Sequence, residues 1–360
     1  MIQAAAPEGT GEMRRLFLAI FALLFAGPCM ASETWLLDSW GSAFSYDGAP
    51  QPIRYVPLET ASRHWRICAS YPHLKDSYWL SVNYGMVEHA RRLGIGLEIV
   101  EAGGYPNLEK QKAQIETCAR SADALIVGTV SYNGLTPLLL ELSGRMPVIA
   151  AVNDIDSAGI TAKSGVSWVS MGAAIGQHFA KLHPKGSRTV KVAWFPGPQG
   201  AGWVKFVEEG FQQTMAESSA ELVAVKWGDT GFEVQLLLLE EVLEEHPDID
   251  YIIGSAVTAD AAVSLLRAKN LTGRIGVLAD YFTHGTFRAI KRGKVLAAPT
   301  DSPVLQGRLA VDQAVRALED KLTIPHAGPS IRIVDARNIN AFDITDSLAP
   351  ASFKPVFLVK

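Results

Sequence analysis

From Trp65 to Leu322 the chain alternates short apolar, β-branched runs with amphipathic stretches of ten to eighteen residues, a pattern that admits little besides a layered α/β fold. The strand-like runs are 65–70, 96–101, 124–128, 147–152, 190–195, 222–227, 251–254, 276–279 and 295–298. Helical periods fill the gaps, over 78–93, 108–122, 202–217, 232–245, 259–269 and 303–322. Strands that read as unbroken apolar runs belong in parallel sheets covered on both faces, and nine of them exceed one tidy sheet. Two doubly wound, Rossmann-like lobes are therefore expected, which suits 360 residues because single cores stop growing at roughly 250–300. Residues 32–60 show neither period and read as an irregular N-terminal segment. The stretch from Thr323 holds one clear strand, 331–334, and then loses periodicity.

The N-terminus reads as an address. Arg14-Arg15 precede eleven apolar residues, Leu16 to Ala26, ended by Gly27-Pro28, and Ala31 supplies the small residue of a cleavage site. Eleven residues are too few to span a bilayer, which takes about 20. Residues 1–31 are thus expected to be a secretory signal peptide, with 1–12 an over-extended start, and the mature protein is expected in the periplasm. Removing Cys29 leaves Cys68 and Cys118 in an oxidising compartment. Two separately buried thiols are one reading and a disulfide the favoured one, since no Cys-x-x-Cys or Cys/His grouping suggests metal or redox work.

Much chemistry is missing. With 33 basic against 37 acidic residues and no long run of Lys or Arg, the chain lacks a nucleic-acid binder's electrostatic footprint. It also lacks a phosphate-binding Gly-rich loop, a Gly-x-Gly-x-x-Gly after a strand and a Gly-x-Ser-x-Gly elbow. The eight histidines fall singly, none at the i, i+4 spacing a zinc site uses. No catalytic residue, metal ligand or cofactor is nominated, and no enzyme is expected. A carboxylate pair acting as acid and base remains the rival reading.

What stands out is aromatic. Open α/β sheets bind ligands beyond the C-terminal ends of their strands, and there lie Tyr71 with Asp76-Ser77-Tyr78-Trp79, then Tyr105, Trp168 and Tyr281-Phe282. Such rings could form a box of π faces with few donors. That box suits a methylated cation, held by ring quadrupoles at roughly 0.5–2 kcal/mol each. Asp76 would add the countercharge, with Asp301 a second candidate or simply the cap of the helix from Pro303. A core role for Tyr78 and Trp79, at a helix start, is the alternative.

These residues carry a resemblance. Asp76-Ser77-Tyr78-Trp79 with Asn83, Tyr84 and Gly85 resembles the first-strand loop of type I periplasmic binding proteins, and Gly210-Phe211 resembles that family's Gly-Phe in the second lobe. Tyr71 to Ser81, Glu101 to Tyr105, Ala113-Gln114-Ile115 and Pro196-Gly197-Pro198 are similar, more narrowly, to its receptors for trimethylamine N-oxide (TMAO). Sugar-binding relatives often place Arg, Asn-Asp and Asp where this chain has Lys205, Ala256-Val257 and Tyr281, so groups that read vicinal hydroxyls are gone.

The resemblance implies two lobes joined by three hinge crossovers, near 165–169, 280–283 and 299–302. Residues 61–166 plus 282–300 would form lobe 1 and 167–281 plus 301–322 lobe 2, with 323–360 a tail crossing the hinge. It further implies that TMAO is bound between the lobes by Asp76, Tyr78, Trp79, Tyr105, Trp168, Tyr281 and Asp301, that Cys68 and Cys118 sit at positions carrying Cys in that family, and that the partner is the periplasmic sensor domain of a histidine kinase. Rivals are a transporter receptor for choline, betaine or another methylated amine, or for a sugar.

Overall fold

The computed structural model describes residues 1–5, 33–41 and 44–360, and the expected hydrophobic signal segment lies outside the described residues. The chain divides into two units, Met1–Thr34 and Trp35–Lys360, and the second carries all the described helices and strands.

Its first sheet is built on five parallel strands, β3 (Arg66–Tyr71), β4 (Gly96–Glu101), β5 (Ala124–Val127), β6 (Val148–Ala151) and β7 (Ala162–Ser164). β5 and β6 are buried along their whole length, as unbroken apolar strands require, and the short β7, Ala-Lys-Ser, is buried as well. Four further strands extend this sheet: β1 (Trp35–Ser39), β2 (Gln51–Tyr55), β13 (His326–Gly328) and β15 (Leu358–Val359). The order is β15-β4-β3-β5-β6-β7-β13-β1-β2. The second sheet is parallel, in the order β11-β10-β8-β9, from β8 (Val190–Gly197), β9 (Ala220–Trp227), β10 (Tyr251–Gly254) and β11 (Gly276–Ala279). β12 (Ala297–Thr300) and β14 (Arg332–Asp335) pair antiparallel as a ribbon of their own.

The helices between them are α1 (Ser77–Leu93), α2 (Leu108–Cys118), α3 (Thr136–Ser143), α4 (Trp168–Leu182), α5 (Val204–Met215), α6 (Phe232–Glu245), α7 (Ala256–Ala268), α8 (His284–Lys291) and α9 (Pro303–Leu318). α1 shows why such segments fold. Asp76 caps its N-terminus by accepting from Tyr78 N and Trp79 N, and Gly94, at φ 72°, ends it by donating to Ala90 O and Arg91 O. Gly210 of the Gly-Phe pair allows α4 and α5 to touch, since a Cβ there would stand 1.8 Å from Val169 O. Cys68 and Cys118 form a disulfide joining β3 to the end of α2.

Three sequence expectations are corrected. The segment 32–60 is not irregular throughout: Trp35–Ser39 and Gln51–Tyr55 pair antiparallel as β1 and β2, and β1 pairs with β13. Trp35 and Leu37 point inward, Trp35 stacking on Tyr55 at 5.7 Å, but Leu36 faces out at 68% exposure and masks the alternation. Residues 282–300 stay with the second sheet: Phe282, Ala289, Ile290, Val295 and Ala298 share a core with Ile252, Leu265 and Val277. Thr283 and Thr286 form a capping box that starts α8 immediately after β11, so the chain turns back over that sheet and does not cross at 280–283. α9, expected in the second lobe, packs against α1 and the first sheet, because its residues from Pro303 to Val315 are buried on nearly every side. The first three passages between the lobes therefore fall at 165–167, 301–302 and 329–331, and the tail makes a fourth. The tail then returns to the first sheet, where Phe357 O accepts from Ile99 N at 2.9 Å and β15 pairs with β4.

Candidate functional site

The C-terminal ends of both parallel sheets face one cleft. From β3 the chain turns through Pro72–Lys75 to Asp76, and the first turn of α1 presents Tyr78 and Trp79. Tyr105 follows β4, Asn153 follows β6 and Trp168 opens α4. From the second sheet come Trp203 after β8, Thr230 after β9 and Tyr281 after β11. These nine residues line one cavity, which the closed lobes narrow to about 10 Å³, room for about one water molecule.

Six rings make its walls, all buried. Tyr78 meets Trp79 at 6.0 Å and Tyr281 at 5.3 Å, both edge to face. Trp203 meets Trp168 at 5.3 Å, Tyr281 at 6.0 Å and Tyr105 at 6.4 Å, so it ties rings of the two sheets together. The lobes also touch beyond the rings. His73 Nε2 lies 3.1 Å from Thr230 Oγ1, and Lys75 Nζ lies 3.5 Å from Asp229. Gly202 admits the approach of Asp154, whose carbonyl oxygen would be 1.9 Å from a Cβ there. The clamp is closed.

Polar groups are few and placed. Asn153 Nδ2 donates to the Tyr105 phenol at 3.2 Å, and Trp168 Nε1 donates to Val152 O at 2.9 Å. Trp203 Nε1 is buried without an acceptor of hydrogen-bond geometry among the described residues. Burial pushes the phenols of Tyr78, Tyr105 and Tyr281 well above their ordinary range, so they stay neutral donors. Outside the rings, burial and the nearby Asp76 raise the carboxyl of Asp260 to about 6, against the pull of Arg288. Aromatic faces, one lining carboxylate and sparse donors suit a small cationic head carrying methyl groups.

Six of the seven expected ligand residues, Asp76, Tyr78, Trp79, Tyr105, Trp168 and Tyr281, come together here. Asp301 does not line the cavity. It sits behind Tyr78, accepting its hydroxyl at 2.5 Å, and the capping position before Pro303 belongs to Ser302. Tyr71 is core behind Trp79, at 5.5 Å, and Lys205 rests over Tyr132 and Phe206, outside the cavity lining. Asn153, Trp203 and Thr230 were not expected, although each follows a strand and the strand-end rule would have found them. Among the described residues no cluster fits a metal ion, and no helix is long and apolar enough to cross a membrane.

A family model described as periplasmic binding proteins and sugar binding domain of LacI family matches residues 64–321. The sequence is 38% identical over 347 residues to the periplasmic protein TorT of Escherichia coli (strain K12), covering 95% of this chain and 97% of that protein. Among solved structures, an ABC transporter solute binding protein from Bradyrhizobium sp. BTAi1 with bound Bis-Tris is 47% identical, with a TM-score of 0.78 over 91% of this chain and 99% of that one. The TorT complex with the TorS sensor domain, solved without ligand and with TMAO, is 40% identical, with a TM-score of 0.74 over 81% of this chain and 99% of that one.

Proposed function

This chain belongs to the periplasmic binding proteins and LacI-type sugar-binding domains, and on that premise we propose that it is a TMAO receptor of the TorT kind that signals to the sensor domain of a TorS histidine kinase. One observation carries the reading: six buried rings and Asp76 surround one small cavity between the two sheets. The rings hold the trimethylammonium group, Asp76 faces its positive end, and the free N–H of Trp203 with the Tyr105 phenol meets the oxide. Closure removes water from all of these contacts together, so occupancy and lobe orientation are linked. The likeness to TorT extends over nearly the whole of both chains, which supports the same partner. The protein works in the periplasm after removal of its signal segment, and it releases its ligand unchanged.

A second reading is favoured by the 47% identity to a transporter solute binding protein that holds Bis-Tris, a tertiary amine. Here the cage takes an amine for delivery to a permease. Calorimetric titration with TMAO and with Bis-Tris, followed by sedimentation with a TorS sensor domain, separates the two. TMAO binding, recovery of unaltered TMAO and a ligand-sensitive complex are expected. Binding of Bis-Tris alone, with no complex, would establish the transporter reading.

A further inference from the structure

Asp301 is fully buried, yet no Lys, Arg or His is paired with it among the described residues. Its Oδ2 accepts from the Tyr78 hydroxyl at 2.5 Å and from Gln306 Nε2 at 2.7 Å, while Oδ1 has no hydrogen-bond partner. The first distance falls in the range of O–H···O⁻ bonds, which are stronger than neutral ones. Gln306 also donates to the Asp301 backbone carbonyl at 2.9 Å, and Ser302 follows at φ 53°, so the carboxylate is held from both sides of the β12–α9 passage. Burial raises the Asp301 carboxyl, and the two donors oppose that rise.

An uncompensated carboxylate directly behind a ring of the cavity needs a reason. A phenol that donates to a carboxylate stays neutral, because the neighbouring negative charge opposes its ionisation, but the bond polarises its O–H and its ring face gains electron density. Because cation–π attraction is electrostatic, a richer face favours a cationic head over a neutral one of the same shape. We propose that Asp301 is a positioning and polarising residue. It fixes the Tyr78 ring edge to face against Tyr281 in the cavity wall and, through the shared hydrogen bond, sets the preference of the site for a methylated ammonium group.

This rests on the ammonium reading of the cavity, and the test keeps the two apart. Wild type, Asp301→Asn, Tyr78→Phe and the double variant are titrated with TMAO by calorimetry, beside thermal melts. Failure of wild type to bind TMAO would defeat the ammonium reading itself. With wild type binding, each single variant is expected to lose about tenfold in affinity, and the double variant no more than Tyr78→Phe alone, since the effect of Asp301 passes through that hydroxyl. A purely structural Asp301 would add its own loss in the Tyr78→Phe background. Additive losses, or an Asp301→Asn affinity within twofold of wild type, overturn the proposal. Should Asp301→Asn fail to fold, Tyr78→Phe decides, because it keeps the ring and deletes the bond; affinity within twofold of wild type then overturns it.

Discussion

Asp76→Asn tests the countercharge in a way that depends on ligand charge distribution. The substitution leaves the helix intact, because Asn serves as well as Asp at an N-cap, and a single oxygen of Asp76 accepts both capping bonds at 3.1 Å. A quaternary nitrogen whose methyl shell meets the carboxylate lies about 5 Å from it. At an effective dielectric of about 20, a full positive charge there gains about 3.3 kcal/mol. TMAO gains far less: its oxide, about 1.4 Å farther away, returns about 2.6 kcal/mol and leaves a net of about 0.7. Loss of the charge should therefore weaken TMAO only about threefold and tetramethylammonium about 250-fold, with the apo melting temperature unchanged. Calorimetry with both ligands on wild type and variant reads the ratio. Equal losses for the two ligands, or none for either, would mean that Asp76 does not face the ammonium.

Trp203→Phe keeps a ring and deletes an N–H that has no acceptor of hydrogen-bond geometry among the described residues; TMAO affinity should fall roughly 10- to 150-fold in calorimetry, the worth of about 1.5–3 kcal/mol for a bond to a charged acceptor. Asp280 is buried with neither carboxylate oxygen hydrogen-bonded among the described residues, and burial raises its carboxyl well above the ordinary range. The folded state then binds a proton that the unfolded state releases above about pH 3.9, so this group's contribution to stability is full below that pH and falls as pH rises toward the folded-state value. Asp280→Asn should remove that fall, and its melting-temperature advantage over wild type should grow between about pH 4 and pH 8; a gap that is flat or shrinks would contradict it. Unfolded, non-reduced mature protein should show no free thiol at Cys68 or Cys118, and replacing both by Ser should cost about 4 kcal/mol in denaturant unfolding, given a separation of 50 residues.

Where the chain's own periodicity was strong, its elements were legible. The runs 96–101, 251–254 and 276–279 and the helix 232–245 coincide with β4, β10, β11 and α6. Strand-end placement also brought six cavity residues into view. Two weaker signals escaped. The β1–β2 hairpin is short, and the outward Leu36 breaks the apolar–polar alternation of β1. Trp203, Asn153 and Thr230 obey the strand-end rule, but a lone Trp, Asn or Thr in a loop carries no mark of its own.

The sequence by itself determined the layered α/β class, the aromatic stock at strand ends and the family resemblance, because these rest on local period and on residues near one another in the chain. The tertiary structure alone decided which lobe owns 282–318, since that depends on which core accepts each apolar face of α8 and α9. It alone joined Tyr78 to Asp301 across 223 residues and left the Trp203 N–H without an acceptor of hydrogen-bond geometry among the described residues. A hydrogen bond needs its two partners within about 3 Å, and at that sequence separation only the packed and closed fold fixes who stands there.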